Sequence, residues 1–407
     1  MNCRHCKASL VHTFLNLGSA PPSNAYLTEI DLSRPEKYYP LKLKVCQQCW
    51  LVQTEDYADA SELFNSEYAY FSSTSSSWVN HAKHYSERMI DHLKLGPDSY
   101  VIEIASNDGY LLKNFVNAQI PCLGIEPTVS TAAAAEKLGI PVLQEFFGES
   151  LAHRISKQGK KADLIIGNNV YAHVPDINDF TRGIKILLNH GGVVTLEFPH
   201  LMRMIEGSQF DTAYHEHFSY LSAYTVNQIF KAADLKLWRI EELSTHGGSL
   251  RVFGCHYEDS REVESSVNAI LDEEATRNLQ NLNAYLGFQS QADKIKDNLL
   301  SFLIEQKRSG KKVAAYGAAA KGNTLLNYGG IKPDLLPYVC DAALAKQGKY
   351  MPGSHIPIKD PSMLSNDKPD YVLILPWNIS NEVQQQHQEL KDSGVRFVTA
   401  VPNLMIL

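Results

Sequence analysis

The chain has 407 residues, 44% of them hydrophobic and 20% charged, with a formal net charge of −7 at pH 7. That length suits roughly two to four domains around a large core, and the acidic balance argues against a nucleic-acid partner, which calls for a basic face. No run of about 18 apolar residues offers a membrane span, and the opening MNCRHCKASL lacks the apolar segment of a signal peptide, so the expectation is a cytoplasmic protein with reduced thiols and no membrane partner.

Cys3 and Cys6, then Cys46 and Cys49, form two CxxC pairs, while Cys122, Cys255 and Cys340 are scattered. Four thiolates at this spacing fill the tetrahedral sphere of one Zn²⁺, which leaves no open position for water or substrate; the zinc is expected to be structural. His5 lies inside the first knuckle but is surplus to four sulfurs. Residues 1–72 read as a small zinc-binding domain too poor in core to fold without its metal. Tyr70 then leads into a Ser/Thr run, either a linker with an aromatic hinge cover or one wall of a pocket for a polyol or phosphate. A helical pattern follows from Trp78 through Val79, Ala82, Tyr85, Met89 and Leu93.

Over residues 73–255, strand-like runs alternate with helical ones, which predicts a parallel, doubly wound sheet with ligands outside the carboxyl ends of its strands. The first strand, Tyr100 to Ile104, ends in an Asn107-Asp108-Gly109 turn, and a helix is expected to open at Tyr110. No GxGxxG is present, so a dinucleotide site is poorly supported. Glu126 closes the next strand, where a carboxylate can accept both hydroxyls of a ribose, and Gly109 permits a close backbone approach to a ligand.

The run Glu103-Ile104-Ala105-Ser106-Asn107-Asp108-Gly109 resembles the first motif of class I S-adenosylmethionine methyltransferases, with Ala105 in place of the glycine common in the wider class. The resemblance implies S-adenosylmethionine as cofactor. It puts Glu103, Ala105, Asn107, Asp108 and Gly109 in the motif and Glu126 on the ribose. Phe146 and Phe147 would border the adenine, and Asn168 and Asn169 would lie near the methionine end.

The stretch after the strand GGVVTLEFP emerges at the same sheet edge and holds Tyr214-His215-Glu216-His217. A phenol, two imidazoles and a carboxylate in succession suit proton transfer, oxyanion stabilisation or metal binding. The HExxH metal pattern needs two histidines four apart; these are two apart and would share a face on an extended segment, so a metal stays open, though no third ligand is evident. A base role suits a histidine whose carboxylate neighbour orients the ring or raises its pKa. His173, past the fourth strand, is an acid/base or a polar cap. Ser249 and Arg251 in STHGGSLRVF make either a plain tight turn or a contact to a phosphate or sugar hydroxyl.

Residues 256–407 begin with a polar, helix-rich segment that looks like packing between domains, its acidic start a solvated face. A second, smaller α/β unit follows. Its GAAAKG turn resembles a phosphate loop without the Walker spacing. Small residues there let helix N-terminal amides meet an anion, and Lys321 and Asn323 are read as lying near a pyrophosphate of the ligand, with a second cofactor or a purely structural unit as the alternatives. Asp341 sits where a ribose-binding acid often does, and KQGKYMPGSHIPI reads as a surface loop. The fold class is therefore α/β: a small N-terminal zinc-binding domain (1–72), a class I methyltransferase Rossmann-like domain (73–255) and a second, C-terminal Rossmann-like domain (256–407).

The paired CxxC, EYAYFSS, EIASNDGYLL, NNVYAHVPD, EFPHL, DTAYHEHFSYLS, THGGSLRVF, AYGAAAKGNTLLNY and KQGKYMPGSHIPI, in this order, resemble the sugar C-methyltransferases that act on an NDP-4-keto-deoxysugar. The resemblance spans essentially the whole chain. It implies an active site of Tyr70, His173, Tyr214, Glu216 and His217, with His217 as general base and Tyr214 beside the sugar carbonyl. The implied partner is a small-molecule NDP-4-keto-6-deoxysugar, methylated at C3. C5 methylation, an epimerase-like reprotonation and a non-catalytic nucleotide-sugar scaffold are the competing readings. The oligomeric state stays open, since nothing reads as a coiled coil.

Overall fold

A computed structural model describes residues 1–55, 57 and 71–407 and arranges them around three sheets. Tyr70 lies outside the described residues. In the N-terminal domain β1 (His12–Ala20), β2 (Tyr39–Val45) and β3 (Val52–Thr54) form an antiparallel meander. Leu41, Leu43 and Val45 of β2 are buried at every second position, the period of a strand with one face on a core. That core is shared: Phe14 stacks on Phe288 at 4.6 Å between centroids.

The middle domain supplies β4 (Val101–Ile104), β5 (Cys122–Ile125), β6 (Val142–Leu143), β7 (Ala162–Asn168), β8 (Leu188–Pro199), β9 (Ser219–Tyr220), β10 (Leu235–Leu243) and β11 (Ser249–His256). Seven of them make one sheet in the order β10-β11-β8-β7-β4-β5-β6. β4 to β8 run parallel, and β11 pairs antiparallel with β8 and β10. Every residue of β4 and β5 is buried, as expected for parallel strands covered on both faces. The exception is β9, which leaves this sheet and pairs with β3, Val52 opposite Tyr220 and Gln53 opposite Ser219. The segment that follows His217 is thereby sewn into the zinc domain.

The helix expected at Tyr110 begins at Lys113. Ala105, Asn107 and Gly109 all have left-handed φ, at 57°, 49° and 77°, so the chain turns repeatedly before a helix can start. Gly109 is required here by its own chain's packing as well as by its backbone angle. A Cβ there would stand 2.4 Å from Ile140 Cδ1 and 3.1 Å from Ala135 Cβ.

The C-terminal domain holds β12 (Val313–Tyr316), β13 (Val339–Cys340), β14 (Ile358–Lys359), β15 (Tyr371–Ile374), β16 (Arg396–Thr399) and β17 (Met405–Ile406), ordered β14-β13-β12-β15-β16-β17 and parallel except at β17. The order reverses at β12, the kind of position outside whose carboxyl end open α/β sheets bind ligands, beside residues 317–321. The helix Phe288–Arg308 buries Phe288, Ile295, Leu299 and Leu303 between β1 and β12, the interdomain packing its periodicity predicts. The acidic helix before it is less solvated than expected, since Glu274 is fully buried. The segment 346–358 also differs from the expected surface loop: Met351, Ser354 and Ile356 are 1% exposed or less. Its turns pack on the N-terminal domain, with Tyr350 paired to Leu27 and His355 to Glu36 at 2.9 Å. Among the described residues no helix is long and apolar enough to cross a membrane.

Candidate active site

The four sulfurs of Cys3, Cys6, Cys46 and Cys49 lie within 4.8 Å of one another, with Cys3–Cys49 at 3.5 Å and Cys6–Cys46 at 3.4 Å. Those separations approach the roughly 3.8 Å edge of a tetrahedron built on Zn–S bonds of about 2.3 Å. Each pair is shaped the same way. Lys7 N–H donates to the Cys3 carbonyl at 3.0 Å and Trp50 N–H to that of Cys46 at 2.9 Å, both residues being left-handed. The donor set fits Zn²⁺ with a closed sphere. His5 turns away to Asn178, 2.8 Å distant. Arg4 reaches the carbonyls of Pro175 (2.6 Å) and Thr54 (3.2 Å), and its guanidinium lies 5.3 Å from the centre of the Phe218 ring. The first knuckle therefore braces the segments next to both His173 and His217.

At the carboxyl edge of β4, β5 and β7, Glu126 accepts from Asn107 N–H and Thr128 N–H, each at 2.9 Å. The serine run lies over this turn: Ser72 N–H donates to Asn107 Oδ1 at 2.9 Å and Ser73 N–H to Asp108 Oδ2 at 3.1 Å. Burial, with Glu126 and Asp108 nearby, pushes the Glu103 carboxyl well above its usual range. Several buried polar atoms here have no partner among the described residues: Glu103 Oε2, Ser106 Oγ, Asp108 Oδ1, both amide atoms of Asn168 and Asn169 Oδ1. Each such atom costs about 1–3 kcal/mol unless something pairs with it. A ligand carrying an ammonium, a carboxylate and ribose hydroxyls would pair with them, and S-adenosylmethionine has all three. Phe146 is half exposed, whereas Phe147 is set edge-on to Phe180 at 5.2 Å.

The stretch 214–217 is a turn rather than an extended run, closed by His217 N–H to the Tyr214 carbonyl at 3.0 Å. It sends the two histidines to separate partners. His215 Nε2 bonds the Tyr39 carbonyl at 3.2 Å, and His217 Nδ1 donates to the Thr212 carbonyl at 3.1 Å. A metal shared by this pair is thereby ruled out as a reading of the turn, and among the described residues only the cysteines group as metal ligands. The His217 ring centre lies 4.0 Å from that of Tyr214 and 4.5 Å from that of His173. Burial, together with His173, pushes its pKa well below the usual value, so the ring is neutral. With Nδ1 protonated against a carbonyl, Nε2 is the basic nitrogen, and it has no hydrogen-bond partner among the described residues. Burial likewise lowers His173 to about 4.

Glu216 does not orient either ring, as its position in the sequence suggested. Its Oε2 accepts from Asn24 Nδ2 at 2.7 Å, and burial pushes its carboxyl up to about 7. Consecutive side chains of the turn diverge, so Glu216 faces Asn24 of the N-terminal domain while His217 faces Tyr214 and His173.

Of the four substrate-binding candidates, Lys321 alone faces the histidine cluster. It stands at the start of the helix Ala320–Tyr328, with Nζ 2.7 Å from Asn378 Oδ1 and 4.6 Å from the Trp377 ring centre. Its charge helps depress His217 and His246. Trp377 donates to Asp211 at 2.8 Å, and burial raises Asp211 to about 6 against the pull of Lys321.

The other three candidates are used by the fold. Asn323 donates to the Ser23 carbonyl at 2.7 Å and Ser249 to the Thr245 carbonyl at 2.9 Å. Arg251 pairs with Glu197 at 2.6 Å, bonds His81 at 3.0 Å and covers the Tyr85 ring at 4.5 Å. Asp341, too, is committed, to Ala318 N–H and Ala343 N–H. Arg251→Met would leave the fully buried Glu197 short of its counter-charge; losing one partner of such a pair costs about 3–5 kcal/mol. Urea unfolding should read a loss of that size, and an unchanged midpoint would contradict the assignment.

Sequence reasoning missed Asn24, Asp211, Trp377 and His246, all of which join the cluster. His246 Nε2 lies 3.2 Å from Asn169 Nδ2, and its ring is 5.4 Å from that of Trp78. A histidine followed by two glycines at the carboxyl edge of a sheet was the available signal; the other three carry none.

Comparison with known proteins covers nearly the whole chain. Residues 3–64 match a family model of a zinc binding domain, residues 81–240 one of a methyltransferase domain, and residues 244–402 one of a C-methyltransferase C-terminal domain. The C-methyltransferase NovU of Streptomyces niveus is 29% identical over 405 residues, covering 100% of this chain and 96% of that one. Among solved structures, a magnesium protoporphyrin IX methyltransferase from Synechocystis PCC 6803 matches with TM-score 0.36 and 13% identity, over 49% of this chain and 99% of its own. YcgJ of Bacillus subtilis matches with TM-score 0.35 and 12% identity, over 43% and 99%.

Proposed function

Since the chain belongs to the S-adenosylmethionine-dependent C-methyltransferases that join a zinc-binding, a methyltransferase and a C-methyltransferase C-terminal domain, we propose that it methylates C3 of an NDP-4-keto-6-deoxysugar. The observation that carries the reading is His217: neutral, locked at Nδ1 on the Thr212 carbonyl, and placed against Tyr214 and His173.

A ring carbon accepts a methyl group only as a nucleophile, and a carbon next to a ketone becomes one by losing a proton. His217 Nε2 takes that proton, and the resulting imidazolium is held by the Thr212 carbonyl. The Tyr214 hydroxyl lies beside the carbonyl and donates to the oxygen as negative charge gathers on it. S-adenosylmethionine, when bound, supplies the electrophilic methyl. Lys321 carries the positive charge that meets the diphosphate. Positioning of the two reactants contributes much of the remaining rate. Glu216, held by Asn24 Nδ2, anchors the 214–217 turn to the N-terminal domain and so supports the placing of His217.

The test is incubation with S-adenosylmethionine and dTDP-, GDP- and CDP-4-keto-6-deoxyhexoses, read by mass spectrometry. One methyl retained on the sugar after mild hydrolysis is the expected product. Cofactor binding without methylation across the panel would favour the scaffold reading.

A further inference from the structure

The strands β10 and β11 are joined by a turn in which His246, Gly247 and Gly248 have φ of 55°, 89° and 120°. Glycine adopts such angles freely; a histidine held there is strained, and strain of this kind persists where the surroundings over-determine it, often at active sites. The turn is fixed from several sides. The Thr245 hydroxyl donates to Glu197 Oε1 at 3.2 Å, and Gln209 Nε2 donates to the Gly247 carbonyl at 2.8 Å. A Cβ on Gly247 would come 2.5 Å from the Trp377 ring, and one on Gly248 would come 2.8 Å from Arg203 Cβ.

What this fixes is the His246 ring. Asn169, just past the end of β7, donates its amide N–H to His246 Nε2 at 3.2 Å. A neutral imidazole that accepts at Nε2 carries its hydrogen at Nδ1. Burial and the charge of Lys321 keep the ring neutral, with the pKa lowered to about 4. Nδ1 has no hydrogen-bond partner among the described residues. The ring stands beside Asn169, in the wall assigned to the cofactor, and within electrostatic range of His217.

We propose that His246 is a second catalytic residue, its Nδ1–H donating to the substrate carbonyl oxygen as proton removal by His217 turns that oxygen into an enolate. The inference rests on the keto-sugar reading above. The proton passes from the α-carbon to His217 Nε2, and the C–H electron pair moves through the carbon to the oxygen. His246 keeps its own proton throughout. A neutral N–H suits this task, because it stabilises the developing charge without surrendering a proton to it and stopping the carbon from attacking.

The test measures α-proton exchange in deuterated buffer, methyl transfer and S-adenosylhomocysteine affinity for the full chain and for His246→Ala and His246→Asn. Asparagine tolerates the left-handed backbone and offers an amide N–H. The expected result is a loss of about 10²–10³-fold in both exchange and kcat for His246→Ala, with cofactor affinity held, and partial recovery in His246→Asn. Unchanged exchange in His246→Ala, or a methylation loss accounted for entirely by weaker cofactor affinity, would overturn the assignment and leave His246 as a support for Asn169. If the unsubstituted enzyme exchanges no α-proton on any NDP-4-keto sugar, the keto-sugar reading falls and this inference with it.

Discussion

His217→Ala is expected to lower α-proton exchange and methyl transfer together, each by about 10²–10⁴-fold, the range for losing a positioned general base. The two losses are coupled because the proton must leave before the carbon can attack. Cofactor affinity is spared, since Glu126, Asp108 and Asn168 lie on the sheet edge of the methyltransferase domain and do not depend on the imidazole. The pH dependence carries a sign. Burial and neighbouring charge hold His217 well below its usual pKa, so the base form is complete at neutral pH and protonation limits kcat/KM only on the acid side. That acid limb is expected below the pH at which an unperturbed imidazole titrates. Exchange that survives in the variant, or an acid limb centred above pH 7 that vanishes with His217, would contradict the assignment.

The second large effect comes from the zinc site. Structural Zn²⁺ sites contribute apparent binding free energies of about 10–16 kcal/mol, which small metal domains use to fold. The N-terminal sheet contains β9, and Asn24 of the same domain holds Glu216. Arg4, inside the first knuckle, braces Pro175 beside His173. Cys46→Ser is therefore expected to lose zinc, lower the thermal midpoint and reduce kcat, while S-adenosylhomocysteine still binds the middle domain. Zinc content, melting and cofactor titration on one preparation separate these effects. A zinc-free variant with an unchanged midpoint and unchanged kcat would contradict the structural role.

What could be read from the sequence and what could not divide along a physical line. Features set by neighbours in the chain were legible. The CxxC spacing specified a four-sulfur site, and the hydrophobic runs located β4, β5, β7 and β8 with their carboxyl ends together. The small-residue turn marked the helix start beside Lys321. Features set by distant partners were not. Arg251 looked free for a phosphate because Glu197 is 54 residues away in sequence, and Asn323 looked free because its acceptor, Ser23, is 300 away. Glu216 and His217 looked like a pair, but a turn separates adjacent side chains and gives them to Asn24 and Thr212. The segment 346–358 carried turn signals, which mark chain reversal and say nothing about whether another domain covers it. His246 acquires its place only when β10 and β11 join the sheet beside β8. For Tyr70, outside the described residues, the expected role at the sugar stays a proposal.

The central claim is that this chain forms a carbon–carbon bond on a keto sugar. Its most direct test uses S-adenosylmethionine carrying a carbon-13 methyl group, with the product examined by NMR. The account predicts a methyl carbon coupled directly to ring carbon C3, with the C3 proton exchangeable before transfer. A labelled methyl on oxygen or nitrogen, with no carbon–carbon coupling, would contradict it.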